Sequence, residues 1–288
     1  VEKAFLDPET NALQLAQIPD SIYYQEVVVQ IERPERNERI TLERVDGKEE
    51  GIIREAGIFA TDPNTLYKLE LPRAEQLEGG EEINIIVSRG DEITPATATT
   101  TLLEPFTIVG GQPADLINWS EYDRTVRVSW RPEGEAASVF DVNFIINYEE
   151  ATGGSSEFAS KSLEWKIAEN LAREDMDAQR LTIEVLGREF YAFRASELEA
   201  DATIQRRFTD NDLEIIAGGT EMLDYINIRQ FNTGITSAQE IPTFTNIEGG
   251  LGLFTSRTTV SKLGLGITGP ARDSLIEGSL TRDLNFLD

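Results

Sequence analysis

The chain has 288 residues, 40% of them hydrophobic, and carries 52 acidic against 26 basic side chains for a net charge of −26. That length suits two domains or one large one and needs no disulfide or metal to fold, while the negative field repels nucleic acid and anionic lipid headgroups and favours cations and basic partners. Cysteine and histidine are both absent, which excludes disulfides, thiol nucleophiles, zinc knuckles, iron–sulfur clusters and the Ser-His-Asp triad.

Carboxylate-only, Ser-Lys and Tyr chemistries stay open, but no motif for them is present, so the chain is read as non-catalytic. No catalytic, cofactor-binding or metal-ligating residue is assigned. The acidity reads first as a solvated surface and second as a calcium site. Phe140-Asp141-Val142 and Asp210-Asn211-Asp212 are short acidic spots, not the D-x-D-x-D-G loop that gathers oxygen ligands around one ion. The chain begins at Val1, as a product trimmed of a signal peptide or a shortened chain would, and contains no run of about 18 apolar residues.

In the N-terminal third, Glu26–Ile31 alternates, Pro34 and Asn37 mark a turn, and Arg39–Val45 alternates again up to Asp46-Gly47, which predicts a hairpin. Leu66–Leu71, Glu82–Val87 and the threonine-rich run Thr94–Thr101 predict further strands. Asn11–Tyr24 breaks the pattern and reads as a short helix or irregular cover. Arg89-Gly90-Asp91 matches the tripeptide of integrin ligands and reads more simply as a turn. Short strands separated by turn signals predict a β-sandwich over 1–104.

Residues 105–113, with Gly110-Gly111 between two prolines, read as a linker. A second β-domain is predicted over 114–288. Ile117–Trp119 and Thr125–Trp130 are strand-like. Phe140, Val142, Phe144, Ile146 and Tyr148 put five large groups on one face of a strand. Trp119, Trp130 and this strand resemble an immunoglobulin-like or fibronectin type III-like core. The three tryptophans, with Trp165, could instead line a sugar site. Ser162–Ile167 and Leu181–Leu186 add strands. Phe190, Phe193, Ala195 and Leu198 predict a helix over 188–199. After a strand from Asp212, Thr220 is expected to cap a helix that turns Met222, Leu223 and Ile226 inward, with Phe231 a further candidate. The tail from Gly269 has roughly helical apolar spacing, and reads as packing on its own domain or docking a partner.

The most distinctive segment is Asn246-Ile247-Glu248-Gly249-Gly250-Leu251-Gly252-Leu253-Phe254. Three glycines in four residues ask for positive φ or close backbone approach. The Lys-Ser/Thr of a phosphate-binding loop is missing. With Met222 to Ile241 before it, this box resembles the C-terminal signature of lipid-anchored envelope proteins of unknown function from Bacteroidota. The resemblance implies an outer-membrane lipoprotein on the cell surface, associated with an envelope partner such as a TonB-dependent transporter or a secretion component. The family's N-terminal cysteine is absent from this sequence: either it lies just before Val1 or the anchor is missing. The box itself reads as a folding element before a ligand site.

The leading expectation is therefore an exported, non-catalytic accessory or structural protein, mostly β, built of two immunoglobulin or fibronectin type III-like sandwich domains, the second with late helices. A carbohydrate-binding module, a two-carboxylate glycoside hydrolase, and a filament subunit donating Val1–Leu6 as a strand are the alternatives.

Overall fold

The alternation of Val29, Ile31 and Arg33 on one side of a single strand sets the first sheet. These three are buried, whereas Val28 is exposed and Gln30 and Glu32 are only partly covered, as one-sided burial of a pleated strand requires. The computed structural model describes residues 1–3, 11–90, 93–110, 116–120, 122–153, 155–232 and 243–288. Strand accounts for 42% of the chain and helix for 17%, so the protein is mostly β. The chain divides into two units, Val1–Leu102 with Asn227–Thr255, and Leu103–Ile226 with Ser256–Asp288.

The first unit starts with two single-turn helices, α1 (Ala12–Leu15) and α2 (Pro19–Ile22), the helical one of the two expectations for this stretch. Strands β1 (Val28–Arg33), β2 (Glu38–Thr41), β3 (Glu43–Asp46), β4 (Thr65–Lys68), β5 (Glu82–Ser88) and β6 (Ala96–Thr101) follow. An antiparallel sheet runs β2-β1-β5-β6, and β3 pairs with β4 alone. The predicted strand Arg39–Val45 is thus two strands in two sheets. It breaks at Leu42, whose N–H donates to the Val29 carbonyl at 2.8 Å. Arg33 is fully buried at the end of the inward face of β1. Its Nε and Nη2 donate to the two carboxylate oxygens of Glu81 at 2.5 and 2.9 Å, and its Nη1 donates to the Glu75 carbonyl at 2.9 Å. A buried cation is tolerable here because a bidentate carboxylate and a carbonyl meet its donors.

The second unit contains β7 (Thr107–Val109), β8 (Leu116–Ile117), β9 (Thr125–Arg131), β10 (Val139–Thr152), β11 (Ala159–Ala172), β12 (Leu181–Leu186), α3 (Gly187–Glu197), β13 (Ile204–Gly218), the first turns of α4 (Thr220–Asn232), β14 (Arg257–Ile267), α5 (Gly269–Glu277) and β15 (Phe286–Leu287). One sheet runs β11-β10-β13-β14-β8, with β15 parallel to β13; a second runs β12-β9-β7. Phe140, Val142, Phe144, Ile146 and Tyr148 of β10 are each at most 5% exposed. They meet Trp119, Trp165 and Phe190 in one continuous core, in which Trp119 stacks on Phe190 with ring centres 4.7 Å apart.

Two boundaries differ from those read in the sequence. Within 105–113, Phe106 is 4% exposed and meets Phe140 edge-on at 5.9 Å, and Thr107–Val109 pairs with β9 as β7; residues 111–113 lie outside the described residues. Residues 227–255, placed with the second domain by sequence, group with the first unit. A backbone bridge ties the box to this unit: the N–H of Thr97 donates to the Glu248 carbonyl at 3.0 Å and the N–H of Glu248 to the Thr97 carbonyl at 2.8 Å. The tail packs on its own unit. Ala271, Leu275, Leu284 and Phe286 are buried in the same core as the tryptophans.

Candidate binding site

The glycine-rich box forms a loop closed by its own side chains. Thr245 Oγ1 accepts from the N–H of Ile247 at 3.1 Å and from the N–H of Gly252 at 3.0 Å. Asn246 grips Phe254 at both ends of its carboxamide: Oδ1 accepts from the Phe254 N–H at 2.9 Å, and Nδ2 donates to the Phe254 carbonyl at 2.6 Å. The short polar side chains thereby replace a strand partner for the backbone they face. Gly249 has φ of 74°, in the left-handed region, and lies next to the backbone of Ala96 in β6. A residue with Cβ is strained at that φ, which explains a glycine at this point of the turn. The bridge from Glu248 to Thr97 covers part of the open edge of β6, one way to blunt an exposed strand edge.

The loop holds Leu251 at its tip, 77% exposed. Beside it lies a concavity of about 550 Å³ lined by Ile247 and Gly249–Leu253 of the box, by Tyr24, Val87 and Ala96, and by Val1, Glu2, Lys3 and Arg89. The walls are mainly apolar. The two basic side chains stand out in a chain of net charge −26. Lys3 Nζ donates to the Asp20 carbonyl at 3.2 Å and sits 5.5 Å from the centre of the Tyr24 ring. Arg89 donates through Nη2 to the Thr94 carbonyl at 2.8 Å, while its Nε is sealed from water without an acceptor among the described residues. The arrangement suits an apolar group that carries a negative or carbonyl oxygen.

The other residues singled out in the sequence have local roles. Trp119 and Trp130 are fully buried and Trp165 is 8% exposed, so the three rings fill the core and present no exposed platform. Asp141 accepts from the Asn170 N–H at 2.7 Å. Asp210 and Asp212 accept from Asn147 Nδ2 at 2.7 and 2.9 Å, and Asp212 also accepts from the Gly264 N–H at 2.8 Å. Among the described residues no three acidic side chains gather as metal ligands would. Gly90 of the Arg-Gly-Asp tripeptide is a turn residue with φ of 77°; Asp91 lies outside the described residues. Of the N-terminal strand donor, Glu2 bridges to Tyr23 and the Lys3 N–H donates to the Ile22 carbonyl at 2.7 Å, and residues 4–6 lie outside the described residues. The Thr220 hydroxyl, expected as a helix cap, shares a hydrogen bond with Ser138 Oγ at 2.9 Å.

Sequence reading missed the lysine and arginine of the concavity because they come from segments 86 residues apart, and only the fold joins them to the box. No family model matches the chain, and no curated protein is significantly similar to it. Among the described residues no helix is long and apolar enough to cross a membrane.

Proposed function

We propose that the protein is a non-catalytic accessory protein of the bacterial cell surface that binds an envelope partner through the box and its concavity. The observation that carries this reading is the closed loop, which holds Leu251 out at 77% exposure beside a mainly apolar hollow of about 550 Å³ whose lining includes Lys3, Arg89 and Glu2. A single exposed leucine is ordinary on a protein surface. A leucine in a loop closed by four hydrogen bonds, which tie Ile247, Gly252 and Phe254 to Thr245 and Asn246, is a preorganised contact at the rim of a hollow.

The resemblance of the box supplies the finer proposal: an outer-membrane-associated lipoprotein working with a TonB-dependent transporter or a secretion component. Both units are proposed to be sandwiches of the immunoglobulin or fibronectin type III kind, a reading supported by the alternating burial along β1 and β10 and by the antiparallel pairing of most strands.

The test is co-purification of the tagged protein with TonB-dependent transporters and secretion components from envelope membranes. Leu251→Asp is expected to abolish capture of that component while leaving the thermal unfolding midpoint unchanged. Equal capture by the wild type and Leu251→Asp would overturn the assignment of the box as the contact.

A further inference from the structure

We propose that the outer edge of β11 pairs with β11 of a second copy of this chain, antiparallel and two-fold symmetric about Trp165. β11 ends the sheet order β11-β10-β13-β14-β8, and among the described residues no strand bonds its other edge. Ser160, Ser162, Glu164 and Lys166 on it are exposed. A free edge of this length is a template for another strand.

The sequence of that edge favours its own copy. In an antiparallel pair, opposite residues point to the same face. A two-fold axis at Trp165 sets Glu164 opposite Lys166 of the second copy and Lys166 opposite its Glu164, giving two ion pairs on the outer face. The same axis sets Leu163 opposite Ile167, both partly buried residues that pack against the core on the inner face. The neighbouring axes fail. An axis at Glu164 or Lys166 places that charge against itself, and an axis at Leu163 or Ile167 opposes no unlike charges. The charge pattern therefore selects one register, and like charges directly opposite oppose the two that place a charge on itself.

The local geometry limits the regular part of the seam to Glu164–Lys166, with Leu163 and Ile167 at its ends, because the ladder to β10 skips Ile167 between Lys166 and Ala168. Register shifts against β10 at Val142 mark an irregularity in β11 just beyond Lys166, and a bulge ends regular pairing. Lys166 at present holds Glu169 at 3.1 Å, both more than half exposed. An exposed ion pair of that kind is worth little, so Lys166 is free to exchange partners. Lys161 stays on Glu150 at 2.6 Å and takes no part. The net charge of −26 opposes association, but at physiological salt repulsion beyond about 8 Å is screened while directly opposed pairs persist.

The experiment is size-exclusion chromatography with light scattering at physiological salt over concentrations rising to the millimolar range, with amide exchange on the same samples. The wild type is expected to form a dimer as concentration rises, with exchange slowing across Leu163–Ile167. Lys166→Glu sets two carboxylate pairs against each other and is expected to weaken the dimer by roughly tenfold or more. The double variant Glu164→Lys/Lys166→Glu recreates both unlike pairs in reverse and is expected to restore it. Both positions are exposed; Glu164 Oε1 also accepts from the buried Asn143 Nδ2 at 3.2 Å, a bond the double variant removes, so circular dichroism and the unfolding midpoint of both variants are compared with the wild type. A wild type that stays monomeric throughout overturns the proposal, as it would if the edge takes a strand from another protein instead. So does a dimer that Lys166→Glu leaves intact, or a double variant as weak as the single one.

Discussion

Arg194 places its guanidinium carbon 3.5 Å from the centre of the Phe190 ring, and both residues are completely buried. Its Nη1 makes one long bond to the Phe190 carbonyl at 3.4 Å, while Nε and Nη2 are sealed from water without partners among the described residues. Burial pushes the group down from its ordinary value to about 9, with the nearby Tyr191 acting weakly the other way. Stacking on an aromatic face returns part of the desolvation cost, but an unpaired buried charge remains costly. Arg194→Met keeps the packing volume and removes the charge. It is expected to stabilise the second unit by about 1–3 kcal/mol, read as a raised midpoint in urea unfolding. A lowered midpoint would show that the contact with Phe190 outweighs the desolvation.

The pair Arg33–Glu81 is the opposite case, a buried charge with its donors met. The hydrogen bond from Arg33 is the main reason the Glu81 carboxyl is held below the usual carboxylate range. A carboxylate depressed in the folded state adds stability above its unfolded pKa and loses it as pH falls through the folded value. Glu81→Gln is therefore expected to cost about 3 kcal/mol at neutral pH. The gap to the wild type should narrow below about pH 4. Urea unfolding of both proteins across that range checks the sign; a gap that widens in acid contradicts it.

The box is expected to depend on Asn246 more than on its glycines. Asn246→Ala leaves both the N–H and the carbonyl of Phe254 without their present partner. The expected loss is about 1–2 kcal/mol, with protease cleavage between Asn246 and Phe254 accelerated. Asn246→Asp keeps the acceptor and removes the donor, so it should fall between the two. Cleavage rates that are the same for all three would mean the loop is held by something else.

Gly278 ends α5, and its φ of −63° suits any residue. The constraint is space. A Cβ there would sit 2.1 Å from the Ser274 carbonyl oxygen and 2.5 Å from the Tyr122 hydroxyl. Gly278→Ala is expected to cost about 1–3 kcal/mol by overpacking and to raise amide exchange in Leu284–Leu287. Gly264 has a positive φ of 71° but open space around it, so Gly264→Ala strains only the backbone and should cost about 1 kcal/mol.

Much of the strand content was legible because period-2 burial is a local signal. The five large residues of β10 stand on one face as their spacing predicts. Arg194 was not legible. The spacing of α3 pointed to Ala195, which is exposed, while Tyr191 and Arg194 are buried with Phe190. A four-residue step from Phe190 to Arg194 was the available signal, and the charge hid it, since buried arginine is rare. The break at Leu42 was hidden for a related reason: alternation continues across it, and only the partner of each half differs.

The sequence alone determined the chemistry that is excluded, the sign of the field, the β character and the loop-forming nature of the box, since all of these follow from residue identity or from spacing within a few residues. Which strand pairs with which was decided by the tertiary structure. The same holds for the bridge from Glu248 to Thr97 that carries the box into the first unit, for the meeting of Lys3 and Arg89 with Leu251, and for the burial of Arg194. Each of these joins residues whose proximity depends on packing and ladder hydrogen bonds formed between distant segments, and no local pattern encodes which distant partner wins.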